Sequence, residues 1–94
     1  MTYKLKFLPV ALKEWKKLAP PIQNQFKKKL TERLENPKVP SAKLSGFDSV
    51  YKIKLRTAGY RLVYEINDNE ITVLVLGVGK RDKDKVYKTV RSRV

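Results

Sequence analysis

The stretch YKIKLRTAGYRLVYEI, Tyr51 to Ile66, alternates apolar and basic side chains on both sides of a central glycine. Successive strand side chains point to opposite faces. Tyr51, Ile53 and Leu55 therefore share one face, and Lys52, Lys54 and Arg56 the other. On the return, Tyr60, Leu62, Tyr64 and Ile66 match the apolar set, while Arg61, Val63 and Glu65 fall with the basic one. A register pairing Arg56 with Arg61 puts Lys54 opposite Val63 and Lys52 opposite Glu65, with the turn near Ala58–Gly59. In that register only Lys52 gains an acidic partner across the strands. Like charges facing one another across a sheet are destabilising. A lone lysine there is ordinarily a solvated guard against edge-to-edge aggregation. A cluster of Lys54, Arg56 and Arg61 points instead to a polyanion site, most simply a phosphate cradle, because arginine offers a bidentate fork and lysine a point charge. GVGKRDK leaves the next strand with Lys80 and Arg81, whose end can lie beside this face. Tyr87 follows in VYK. An aromatic near a basic cluster can stack on a base, although Tyr87 taken alone reads as a packing residue.

The elements that must position these groups follow from periodicity. TYKLKFL alternates Tyr3, Leu5 and Phe7 with Lys4 and Lys6, the period of a half-buried strand. From Val10 the period lengthens. Leu12, Trp15 and Leu18, helped by Ala11 and Ala19, fall on one helical face, and Trp15 is a core residue. The pair Pro20–Pro21 stops that helix, and Pro21 suits the first position of the next. Ile22, Phe26, Leu30 and Leu34 then recur every four residues on a second amphipathic helix. Its other face carries Lys27, Lys28 and Arg33, with the run 27–29 read as solvated or as an outlying phosphate contact. ENPKVP ends it, since a residue before proline avoids the helical region. So short a link predicts an antiparallel helix pair. Residues 37–49 read as a loop tacked down by Leu44 and Phe47. NDN, Asn67 to Asn69, is turn chemistry. EITVLVLGVG is the most apolar strand and is expected at the sheet centre, with Gly77 and Gly79 marking a bulge. The last residues suggest a short helix with Val86, Val90 and Val94 on one face. The expected fold is α+β: β-α-α-β-β-β plus a C-terminal helix, an antiparallel-rich sheet packed on an N-terminal helix hairpin. Residues 1–94 are read as one domain.

Composition narrows the chemistry. Lys plus Arg number 22 against 9 acids, a net charge of +13. Such an imbalance favours a polyanionic partner: nucleic acid first, an anionic membrane surface second, an acidic protein third. The chain has no histidine and no cysteine. That removes the usual general base, the commonest metal ligand and any disulfide. No cofactor or metal is expected. No run approaches the roughly 20 apolar residues of a membrane span. MTYKLKFLPV lacks the apolar segment of a signal peptide, so the cytoplasm is the expected compartment.

Taken together, ALKEWKKL, KKKL, the KL-G pattern at 43 to 46, YKIKLR, GYRLVY, GVGKR and the closing VY resemble the RelE toxin family over nearly all of the chain. The resemblance implies a RelE-like fold and the toxin of a type II toxin–antitoxin system. That toxin is a ribosome-dependent endoribonuclease that cuts mRNA in the ribosomal A site and so inhibits translation. It implies as partners the 70S ribosome with its 16S rRNA, the message, and a RelB-like antitoxin that wraps the toxin and displaces its C-terminal helix. Operator DNA is reached only through the antitoxin complex, and no membrane is involved. Carried over by position, the family's catalytic set falls on Lys52, Lys54, Arg61, Arg81 and Tyr87, with Arg56, Lys80, Lys27 and Lys28 as further RNA contacts. Ser45, before Gly46, replaces an arginine of the family pattern and leaves the core set intact. RNA supplies its own nucleophile, the 2′-hydroxyl. A lysine crowded by cations has its charged form disfavoured, which suits Lys54 to the role of base. Arg61 would bind the scissile phosphate, Lys52 add positive potential, Arg81 assist the leaving oxygen, and Tyr87 stack on a base or itself be the general base. Two other readings remain at this point: a non-catalytic nucleic-acid-binding module, and a toxin of the same fold acting on another target such as DNA gyrase.

Overall fold

Periodicity is realised, in chain order, as β1 (Lys4–Phe7), α1 (Pro9–Lys16), α2 (Pro20–Glu35), a 3₁₀ turn (Pro40–Ala42), β2 (Val50–Leu55), β3 (Tyr60–Asn67) and β4 (Thr72–Lys80). The computed structural model describes residues 2–44, 46–47, 49–56 and 58–80. The expected C-terminal helix of Val86, Val90 and Val94, together with Ser45, Arg81 and Tyr87, lies outside the described residues.

The sheet runs β1-β4-β3-β2. β1 pairs with β4 in parallel, and β4 with β3 and β3 with β2 antiparallel. The most apolar strand is thus internal, as its composition demands. Both its faces are covered: Val73, Val75 and Val78 join the main core, and Leu76 a smaller second one. The expected irregularity falls between Val63 and Tyr64, where the register on β4 jumps from Gly77 to Val75. Leu76 is the extra residue of that bulge.

The main core lies between the sheet and the helices. Ile53, Leu62 and Tyr64 meet Phe26 and Leu30 of α2 and Ala11 of α1, each no more than 1% exposed. Trp15 bridges the layers, with its ring 5.5 Å from Phe7 and 6.2 Å from Phe26. Three details of the helices differ from the periodic reading. Leu12 is 37% exposed, and Ala19 is exposed as the N-cap of α2. At about 3.6 residues per turn, Leu8, Ala11, Trp15 and Leu18 define the inward stripe, and Leu12 sits a quarter-turn off it. The small Ala11 lets the backbone of α1 approach β4. Pro20 rather than Pro21 opens α2, because its missing N–H is unneeded in the first turn.

The opposite face carries the second cluster. Val50, Val63 and Leu76 are buried there beneath Leu44 and Phe47 of the loop and Leu8. Val63, grouped by alternation with the cations, is therefore a core residue on that side. At the far end of the sheet, Tyr3 Oη donates to Asp68 Oδ1 at 2.8 Å and Lys38 Nζ lies 3.0 Å from Asp68 Oδ2. The expected turn closes with Asn67 Oδ1 accepting the Glu70 N–H at 3.1 Å. Among the described residues no helix is long and apolar enough to cross a membrane.

Candidate active site

The hairpin of β2 and β3 pairs its cations differently from the register read off the sequence. Lys54 pairs with Arg61, Lys52 with Val63, and Glu65 with Val50. The register expected from alternation is thus displaced by two residues, which keeps every side chain on its face. The turn is the cause. Gly59, at φ +71°, donates its N–H to the Leu55 carbonyl at 2.8 Å. The ladder therefore closes at Leu55 and Tyr60, and Arg56 leaves it for the loop. As a result Lys52 faces a core valine in place of a carboxylate, and Lys54 faces an arginine.

Pair type sharpens this contact. The Val50 carbonyl accepts from the Leu44 N–H at 2.8 Å, and the Lys52 carbonyl from Arg33 Nη1 at 3.3 Å. Both acceptors point away from β3, so by alternation Lys54 does too. Lys54 and Arg61 then form a non-hydrogen-bonded pair, the type in which opposing side chains come closest. On the other side of β3, Arg61 is opposite Gly79, which has no side chain to crowd the guanidinium.

Two open grooves adjoin these groups. One, of about 320 Å³, is lined by Lys54, Leu55, Arg56, Tyr60 and Arg61. The other, of about 310 Å³, is lined by Lys52, Lys54, Arg56, Arg33, Ser41 and Ala42. Lys54 and Arg56 are exposed, whereas Lys52 and Arg61 are half-buried. Lys80 is opposite Tyr60 at the exposed end of β4. Lys27 and Lys28 are exposed on α2. Lys27 borders a different, apolar groove with Leu5, Phe7, Trp15, Leu30, Thr31 and Leu34, apart from the hairpin cations. Arg81 and Tyr87 fall outside the described residues.

Periodicity places Arg33 on the outer face of α2 with Lys27 and Lys28. In the structure it turns to the sheet. Its Nη1 donates to Tyr64 Oη at 2.9 Å, and its guanidinium carbon lies 5.9 Å from the Tyr64 ring centroid. Tyr64 Oη in turn donates to the Pro37 carbonyl at 2.7 Å. Burial pushes the Tyr64 hydroxyl above its ordinary pKa, with Arg33 pulling the other way, so the phenol keeps the proton it donates. One signal in the sequence pointed here: Arg33 lies three residues after Leu30 and beside Leu34, on the flank of the apolar stripe.

This arrangement can bind a phosphate between an arginine fork and lysines, and it holds a lysine opposite an arginine as a candidate base. Comparison with known proteins identifies the family. Residues 5–85 match the family described as the ParE toxin of the type II toxin–antitoxin system parDE. The mRNA interferase toxin RelE of Escherichia coli (strain K12) is 48% identical over 94 residues, covering 100% of this chain and 99% of that one. The free-state structure of an E. coli RelE arginine mutant superposes with a TM-score of 0.92 at 47% identity, covering 100% of this chain and 99% of that one. The toxin in the intact E. coli RelBE toxin–antitoxin complex gives a TM-score of 0.83 at 49% identity, covering 86% of this chain and 99% of that one. The chain belongs to the RelE/ParE family of type II toxin–antitoxin toxins, on its RelE-like side.

Proposed function

We propose that this protein is the toxin of a type II toxin–antitoxin system and acts as a ribosome-dependent endoribonuclease on mRNA. The observation that carries the reading is the Lys54–Arg61 pair at the mouth of a basic groove, in a chain 48% identical to an mRNA interferase over its whole length. In the proposed reaction the 2′-hydroxyl of the message attacks the adjacent phosphate. The neutral amine of Lys54 takes the hydroxyl proton as the 2′-oxygen–phosphorus bond forms and the bond to the 5′-oxygen breaks. The arginine opposite disfavours the charged lysine, which supports this role. Arg61 holds the scissile phosphate and its developing charge, and Lys52 deepens the positive potential. Arg81 stabilises or protonates the leaving 5′-oxygen, so that the products are a 2′,3′-cyclic phosphate and a 5′-hydroxyl, and Tyr87 stacks on a base and orients the 2′-hydroxyl. Arg56 and Lys80 contact flanking RNA, and Lys27 and Lys28 are outlying contacts on the ribosome.

Such a site lacks a strong acid–base pair and is feeble on free RNA. The A site of the 70S ribosome supplies what is missing by holding the codon in attack geometry. A RelB-like antitoxin with an acidic segment is the natural inhibitor of so basic a surface, steered to it by charge. The working compartment is the cytoplasm, and residues 1–94 act as one domain. The test is in-vitro translation followed by mapping of 5′ ends on ribosome-bound message. New ends within the A-site codon, absent from ribosome-free message, are expected. Cleavage of free RNA at equal rate, or no new ends, would overturn the reading.

A further inference from the structure

The basic surface does not stop at the hairpin. Lys54 and Arg56 line both grooves described above, so the two form one channel that passes from Arg61 over the outer edge of β2 toward α2. At its far end stand Arg33 and Ser41. Arg33 is held from behind: both of its hydrogen bonds among the described residues, to Tyr64 Oη and to the Lys52 carbonyl, use Nη1. A guanidinium carries five N–H donors in a fixed fork, so Nη2 and Nε keep three for a ligand. The Tyr64 ring behind it and the Tyr64–Pro37 hydrogen bond leave little freedom to lose on binding. A planar fork already fixed in place, with a hydroxyl nearby, matches the oxygens of a phosphodiester.

We propose that Arg33, with Ser41, forms a second phosphate subsite that grips a linkage flanking the one cleaved, so that the message crosses the edge of β2. This rests on the endoribonuclease reading above and extends it by one contact. An acidic protein segment is the competing occupant. Continuity with the Lys54–Arg61 groove favours RNA, because a strand whose scissile phosphate meets Arg61 runs on past Arg56 and Lys54 along the same channel.

The experiment uses ribosomes programmed with messages that carry one neutral methylphosphonate at each linkage around the cleaved codon. The readout is single-turnover cleavage by the parent, by Arg33→Met and by Ser41→Asp. Methionine keeps the aliphatic packing on Tyr64 but not the charge. Aspartate leaves the anchors of Arg33 untouched and puts a negative charge in the subsite. With the parent, neutralising one flanking linkage should raise the half-saturating toxin concentration about tenfold, the scale of one charge-assisted hydrogen bond, with the maximal rate held within about twofold. Arg33→Met should show that loss on the all-phosphate message and no further loss when that linkage is neutral. Ser41→Asp should also weaken saturation while its melting temperature stays at the parental value. Additive losses at every linkage, with a fall in melting temperature to match, would make Arg33 merely structural. A loss confined to binding of an acidic antitoxin peptide would assign the groove to protein docking. Either result overturns the subsite and leaves the functional reading standing. A parent that leaves ribosome-bound message uncut overturns both.

Discussion

Lys54 and Arg61 stand opposite one another on a face where opposite charge would be more stable. Like pairs directly across strands are destabilising, so a role in phosphate binding can be separated from a role in folding. Arg61→Ala is therefore expected to lower single-turnover cleavage on the ribosome by about 10² to 10³, the loss typical of one donor to a developing oxyanion. Its urea midpoint should stay unchanged or rise. Lost activity accompanied by a lowered midpoint would mean that Arg61 supports the fold. Lys54 separates two kinds of role. Lys54→Ala should slow the chemical step by about 10² to 10⁴. Lys54→Arg should not restore it, because arginine keeps its proton in proteins. If Lys54→Arg cleaves nearly as well as the parent, the position serves only as positive charge, and Tyr87 becomes the better base.

The elements explain how that pair is held. The loop between β2 and β3 places Gly59 at φ +71°, and a Cβ built there meets nothing within 4 Å. Gly59→Ala should therefore cost only the left-handed backbone penalty, about 1–2 kcal/mol, and no packing. If the turn alone fixes the register, the same variant should also slow cleavage by loosening Lys54 against Arg61. The network tying β1 to the β3–β4 turn has its own pH signature. Tyr3 and Lys38 hydrogen-bond Asp68 and hold its carboxyl below the ordinary 3.8. A depressed carboxyl stabilises the fold above pH 3.8 and loses that contribution as pH falls through the lower folded value. Thermal melts of the parent should steepen their decline below that pH, and those of Asp68→Asn should decline less. Much of this was legible in the sequence. β1, β2 and β3, the stripe of Ile22, Phe26, Leu30 and Leu34, and the face carrying Lys52, Lys54 and Arg61 follow from periods of two and of about 3.6, and β4 from its apolar run. Register did not, because it depends on the backbone of the turn, where Gly59 donates to the Leu55 carbonyl, which alternation cannot see. The inward turn of Arg33 was hidden as well. A cation beside an apolar stripe reads as solvated until its partner, here the hydroxyl of Tyr64 thirty-one residues away, is brought to it by the fold.

At the scale of the whole molecule, a net charge of +13 sets how the toxin finds its target. Self-repulsion of that size weakens the compact state and speeds approach to a polyanion. Each phosphate contact displaces a counterion, so the logarithm of the ribosome association constant should fall linearly with the logarithm of salt concentration. The slope counts contacts, and its changes sort the basic surfaces. Arg56 is exposed and lines both halves of the channel. Arg56→Ala should flatten the slope by about 1 without moving the cleavage position. Lys27 and Lys28 lie apart from that channel on α2. If they are outlying contacts, the double variant Lys27→Ala/Lys28→Ala should flatten the slope by up to about 2 while the rate of bound toxin on bound message stays parental. An unchanged slope in the double variant, with Arg56→Ala still flattened, would confine docking to the hairpin side and make the α2 lysines a solvated face. A flat response in the parent between low and moderate salt would mean that neither surface docks through phosphates, and that shape alone delivers Lys54 and Arg61 to the codon.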